Sequence, residues 1–147
     1  MSLTVFIAMV AAAALVGSQF GPGPWYAALQ KPSWTPPNWL FGPVWSVLYI
    51  ASAFAGWSVW RSKAVSVTKP ILLWLLQVIL NGLWSWLFFG LRRPELALID
   101  IIALLLTICC FIATAKGTSR VAVWLFVPYA LWVGFATALN FAIWQLN

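Results

Sequence analysis

Five apolar runs, each about as long as a bilayer is thick, leave this chain few folds to adopt. They lie at 3–19, 43–60, 70–89, 96–115 and 121–144, and span 17, 18, 20, 20 and 24 residues. At about 1.5 Å of rise per residue, roughly 20 helical residues cross the ~30 Å hydrocarbon layer. None of the runs alternates apolar and polar residues in the way a membrane β-strand must, so helices are predicted and not a barrel. Composition points the same way: 64% of residues are hydrophobic and only 7% charged, against roughly 25% charged in soluble domains. Ten charged side chains cannot clothe a water-facing surface for 147 residues. The predicted fold is all-α and membrane-integral, a single five-helix transmembrane domain over 1–147. Soluble globular, disordered and coiled-coil folds are excluded.

Breakers punctuate the runs. Pro70 is suited to the first turn of a helix, Gly117 to a helix C-terminus, and the turn 90–95 holds Arg92, Arg93 and Pro94. Only one connection, residues 20–42, is long. It holds more than half of the prolines and also Trp25, Tyr26, Trp34, Trp39 and Phe41. A plain linker does not carry such aromatic weight, so this loop is expected to fold over the bundle as a lid. Residues 1–20 resemble a signal peptide in their apolar stretch, but no Lys or Arg precedes it, so a retained first helix is expected. Basic residues set orientation. Arg61, Lys63, Lys69, Lys116 and Arg120 fall on the N-terminal side, against Lys31, Arg92 and Arg93 opposite. Five against three places the N-terminus in the cytoplasm and the long loop outside.

The chain has no His, which removes His-ligated metals, His-ligated haem and His general bases. No metal site is expected. The net charge of +6 sits at the ends of the apolar runs, where it orients helices and does not bind nucleic acid. Polar residues at membrane depth are costly and tend to face inward. Gln77, Asn81 and Ser85 recur at i, i+4, i+8 with Trp84 beside them; Trp45, Tyr49, Ser52 and Gly56 form a second stripe. Trp132, Ala136 and Asn140 form a third, and Asp100, Thr107, Phe111 and Thr114 a fourth. Asp100 is expected to favour the positive end of its helix or to pair with Arg92 or Arg93. Small residues repeat at Ala13, Gly17, Gly21 and at Ala130, Gly134, Ala138, Ala142, spacing that lets helices approach closely.

In the long loop, Trp25-Tyr26-Ala27-Ala28-Leu29-Gln30-Lys31-Pro32-Ser33-Trp34-Thr35-Pro36-Pro37 is followed eight residues later by Trp45. Further on come Asn81-Gly82-Leu83-Trp84, Asp100, and Val127-Pro128-Tyr129-Ala130-Leu131-Trp132 with Phe135-Ala136-Thr137. This order resembles the tryptophan-rich sensory protein family (TspO/MBR), also called translocator protein or peripheral-type benzodiazepine receptor. The matching motifs run from residue 25 to about 141.

The resemblance implies a five-helix bundle in a bacterial membrane, usually a homodimer, with a ligand cavity roofed by the first loop. It implies a receptor-like binder of protoporphyrin and similar flat hydrophobic ligands, including benzodiazepine-type compounds and sterols. By position, Tyr26, Tyr49, Asn81 and Ala136 match cavity-lining places. Trp45 and Trp132 match two cavity tryptophans tied to light-dependent porphyrin breakdown, and would be the catalytic pair if that activity operates. Trp34, Trp84 and Asp100 complete the expected binding set, with Lys31 as the cation for ligand carboxylates. No cofactor is required, and metal-free porphyrin suits a His-free site better than haem. Light- and oxygen-dependent degradation and transport of lipophiles are the alternative activities. The basic end of the vertebrate sterol motif is missing, since nothing after Arg120 is charged.

Overall fold

The computed structural model describes residues 1–147 and is all-helical. Helix α1 (Leu3–Ser18) is followed by a short lid helix α2 (Pro24–Ala28), then α3 (Asn38–Trp60), α4 (Thr68–Ser85), α5 (Pro94–Ala115) and α6 (Arg120–Leu146). A π-helical turn, Trp86–Gly90, extends α4. Four helices are long and apolar enough to cross a membrane, and α1 is a shorter apolar helix of 16 residues, about 24 Å long. Large apolar side chains such as Leu15, Ile50, Ile79, Leu106 and Leu131 face outward, while Ser52, Gln77, Asn81, Asp100 and Asn140 are buried. That inversion suits lipid as the outer solvent, and the molecule is a multi-pass integral membrane protein.

Around the bundle the neighbours run α1, α3, α6, α5, α4 and back to α1. Five alternating helices closed into a ring force one neighbouring pair to run parallel, and here it is α1 and α4. Small residues make that contact. A Cβ on Gly82 would lie 3.7 Å from Ala13, and one on Gly17 would lie 3.3 Å from Ser85. The second small stripe behaves otherwise: Ala138 is exposed and a Cβ on Gly134 would meet nothing within 4 Å, so that face of α6 points outward.

Several boundaries differ from the sequence expectation. The second membrane helix starts at Asn38 and not at Pro43, because the extended Pro37 (φ −62°, ψ 144°) already ends the loop. Pro43 then lies inside α3 and forfeits one backbone bond near its start. The end of the third membrane helix widens into a π turn, closed by Leu91 N–H donating to Trp86 O at 2.7 Å. Gly90 is required there, since a Cβ would stand 2.9 Å from both Phe20 and Trp86. Arg92, at φ 55°, is the one left-handed non-glycine residue and reverses the chain into α5.

Candidate functional site

Between the helices, beneath the lid, lies a cavity of about 350 Å³. That is at the compact end of the ~300–1,000 Å³ range of small-molecule sites. All five long helices contribute. Trp45 and Tyr49 come from α3, Asn81, Trp84 and Ser85 from α4, Ile101 and Leu104 from α5, and Ala136, Leu139 and Asn140 from α6. Helix α1 supplies only small residues, Ala14, Gly17 and Ser18. Consecutive Phe88 and Phe89 both reach the cavity because the π turn re-aims them. At the rim Ser18, Pro22, Asn38 and Gly42 are all exposed, so the mouth opens where α1 ends and α3 begins.

The wall is apolar, and its polar groups are largely engaged with one another. Tyr49 Oη donates to Asn81 Oδ1 at 2.6 Å, and Asn81 Nδ2 donates to Tyr129 Oη at 2.6 Å. Tyr129 Oη donates to Gln77 Oε1 at 2.9 Å, and Gln77 Nε2 donates to Ser52 Oγ at 2.9 Å. This chain joins α3, α4 and α6 and satisfies groups that could not be left bare in hydrocarbon. A second link ties α4, α6 and the start of α5: Trp84 Nε1 donates to Asn140 Oδ1 at 3.0 Å, and Asn140 Nδ2 to Pro94 O at 2.9 Å. Trp45 stays free of this network and packs against Tyr49 and Tyr129, with ring centroids 5.9 and 6.4 Å away.

The lid is fastened by aromatic packing, with Trp25 edge-on to Phe88 and Trp34 to Phe135, and by two further ties. Tyr26 is buried, edge-on to Phe88 and Phe89, and burial pushes its hydroxyl pKa up. The side chain of Asn147 holds the Gln30 backbone from both sides: Gln30 N–H donates to Asn147 Oδ1 at 3.0 Å, and Asn147 Nδ2 donates to Gln30 O at 2.9 Å. Loss of two such bonds costs about 1–3 kcal/mol. In Asn147→Ala, amide hydrogen exchange across 24–31 therefore accelerates by roughly tenfold or more, while exchange in α4 and α5 is unchanged. Equal protection of the lid in both proteins would mean that the aromatic contacts of Trp25, Tyr26 and Trp34 hold it without the Asn147 tie.

Six of the ten binding residues expected from the sequence line the cavity: Tyr26, Trp45, Tyr49, Asn81, Trp84 and Ala136. Four lie elsewhere. Trp132 sits outside the lining, with its ring 5.8 Å from Phe41 and 5.5 Å from Phe135, and its buried indole N–H has no partner. Its helical position turns it toward the start of α3, where Phe41 occupies the cavity wall. Trp34 is exposed and packs edge-on to Phe135. Lys31 does not face the cavity: its Nζ donates to Leu29 O at 3.0 Å and to Ala27 O at 3.4 Å, and lies 4.7 Å from the Tyr26 ring centroid. Asp100 is buried, yet neither carboxylate oxygen has a partner. The expected pairing of Asp100 with Arg92 or Arg93 does not form, because Arg93 turns outward to Glu95 at the helix start.

Sequence reasoning missed Phe88, Phe89, Asn38 and the α1 residues. The α1 set was half visible in the small-residue spacing of Ala13 and Gly17, whereas nothing in the string Trp86–Gly90 announces a π turn. No cluster of His, Cys, Asp or Glu able to hold a metal is present.

Residues 4–145 match the family model described as the TspO/MBR family. Over 154 residues the chain is 40% identical to the tryptophan-rich protein TspO of Chlorobaculum tepidum, covering all of this chain and 96% of that protein. It is 38% identical to protein CrtK of Rhodobacter capsulatus, covering all of this chain and 95% of the relative. It is also 38% identical to the human translocator protein, over 90% of this chain and 82% of that one.

Proposed function

This chain belongs to the TspO/MBR family, and on that footing we propose that it is a receptor-like membrane protein that binds flat, lipophilic ring ligands of the porphyrin class in the cavity under the lid. The observation that carries the reading is the cavity itself: about 350 Å³, mostly apolar, with Trp45 in its wall and with Tyr49, Asn81 and Asn140 hydrogen-bonded to neighbouring side chains. An aromatic macrocycle gains stacking against an indole and sheds water into an apolar slot. Its acidic side arms are directed to the exposed rim at Ser18, Asn38 and Gly42, where they remain hydrated. Lys31 is occupied by backbone carbonyl oxygens and the Tyr26 ring, which argues against a direct role in holding those arms.

Tryptophan fluorescence titration with protoporphyrin tests this. Trp45→Ala weakens binding about tenfold or more, the loss of a buried aromatic contact worth ~1.5 kcal/mol or above. Trp132→Ala and Lys31→Ala change it less than about threefold, because neither side chain reaches the cavity. Unaltered affinity in Trp45→Ala would place the ligand elsewhere. The same geometry bears on porphyrin photodegradation. A concerted role for both indoles is disfavoured, since Trp45 lines the slot and Trp132 lies behind Phe41.

A further inference from the structure

We propose that the end of the bundle remote from the lid is a binding surface for anionic phospholipid headgroups. Five of the eight basic residues gather there: Arg61 and Lys63 after α3, Lys69 at the start of α4, Lys116 after α5 and Arg120 at the start of α6. All five are exposed. The two turns that carry them are stitched together. Ser62 Oγ donates to Thr118 O at 2.8 Å, and the Ser58 and Ser119 hydroxyls are hydrogen-bonded at 3.0 Å. The cations therefore form one patch and not two independent loops.

Nothing in the protein neutralises this patch. The only two acidic residues, Glu95 and Asp100, belong to the lid end, where they stand against Lys31, Arg92 and Arg93. The single ion pair, Arg93 with Glu95, is there too. Neither α4 nor α6 carries an acidic residue in its first turn; Lys69 is the second residue of α4 and Arg120 the first of α6. The positive dipole ends of α4 and α6 lie here together with the negative ends of α3 and α5, so the helix dipoles largely cancel and the side-chain cations set the sign of the potential.

Depth identifies the partner. Trp60, at the end of α3, and Trp124, in the second turn of α6, are both exposed at this end. Exposed tryptophans at helix ends sit at the headgroup level. Arg61 is held at the same level, its guanidinium 4.8 Å from the Trp57 ring centroid. Arg61 and the four cations that flank the same helix ends accordingly reach the level of the lipid phosphates, where Lys and Arg side chains are attracted to anionic lipid. Several exposed cations spread over four helix ends fit an array of headgroups better than a single soluble anion.

The test uses the full chain in bilayer nanodiscs, either phosphatidylcholine alone or phosphatidylcholine with added phosphatidylglycerol or cardiolipin. The expected result is an unfolding temperature several degrees higher with the anionic lipid, falling back as salt is raised. Native mass spectrometry is expected to show anionic lipid enriched on the protein at least several-fold over its share of the bilayer. In Lys63→Gln/Lys116→Gln/Arg120→Gln, whose altered side chains are all exposed, both the shift and the enrichment fall by half or more. Far-UV circular dichroism checks that the variant keeps its helices. No shift and no enrichment in the unaltered protein, or an undiminished effect in the folded triple variant, would overturn the proposal. So would equal stabilisation by inorganic phosphate, which would make the partner a soluble anion. None of these readouts requires porphyrin, so their outcome is independent of the cavity ligand.

Discussion

Gly56→Ala, a single added methyl group, lowers the unfolding temperature by about 10 °C or prevents accumulation of folded protein. A Cβ at this position would lie 2.5 Å from Trp74 Cε2, 2.6 Å from Trp74 Nε1 and 2.8 Å from Phe6 Cδ1. Neither neighbour has room to yield. Trp74 and Phe6 are fully buried, packed edge to face at 4.9 Å, and the Trp74 indole donates to Ser52 O at 2.8 Å. Relieving the clash requires moving the indole and stretching that bond, so overpacking of about 1–3 kcal/mol is joined by a lost hydrogen bond. Thermal denaturation in detergent measures the effect. The assignment to Trp74 is checked by Gly56→Ala/Trp74→Phe, which regains part of the loss because the smaller ring vacates the space. If Gly56→Ala unfolds at the same temperature as the unaltered protein, α1, α3 and α4 do not meet as described.

The second large effect lies at Asn81. Asn81→Leu deprives both Tyr49 and Tyr129 of a partner at once. Each lost bond inside a membrane protein is worth about 0.6–2 kcal/mol, and an abandoned buried hydroxyl adds to the cost. The substitution therefore destabilises by roughly 2–4 kcal/mol. It also loosens Tyr49 on the cavity wall, so under the proposed function the titration with protoporphyrin gives a weaker affinity. A double-mutant cycle with Tyr49→Phe separates the contributions. With the Tyr49 hydroxyl already removed, Asn81→Leu costs measurably less than in the unaltered protein. Strict additivity would show that the hydrogen-bonded chain is not a unit.

These two sites differ in how visible they are before folding. Asn81 stood out in the sequence because an amide at membrane depth is costly, and the i, i+4 spacing to Gln77 and Ser85 put it on one helical face. The partners Tyr129 and Tyr49 could not be read from spacing, since they come from helices 48 and 32 residues away. Gly56 lay on a recognised stripe, but its need for a bare Cα arises only from the Trp74 ring pressed against it. Asp100 shows the reverse case. Its neighbours in sequence suggested an ion pair with Arg92 or Arg93, yet the left-handed turn at Arg92 and the outward course of Arg93 to Glu95 leave the carboxylate without one.

Trp132 is a similar lesson. Periodicity placed it in line with Ala136 and Asn140, and both of those do face the cavity. The start of α3 at Asn38, however, brings Phe41 against the indole, and it is Phe41 that lines the cavity there.

The amino-acid sequence by itself determined that this chain crosses a membrane as a helical bundle, which residues turn inward, and which motifs relate it to its family. Those properties follow from local quantities: run length against bilayer thickness, the cost of polar groups in lipid, and helical periodicity. Only the tertiary structure decided which inward residues share the cavity, that a π turn delivers Phe88 and Phe89 to it, and that Trp132, Lys31 and Asp100 stand apart. Those outcomes depend on contacts between helices distant in sequence, where a shift of one turn exchanges one lining residue for another, and no local preference encodes that choice.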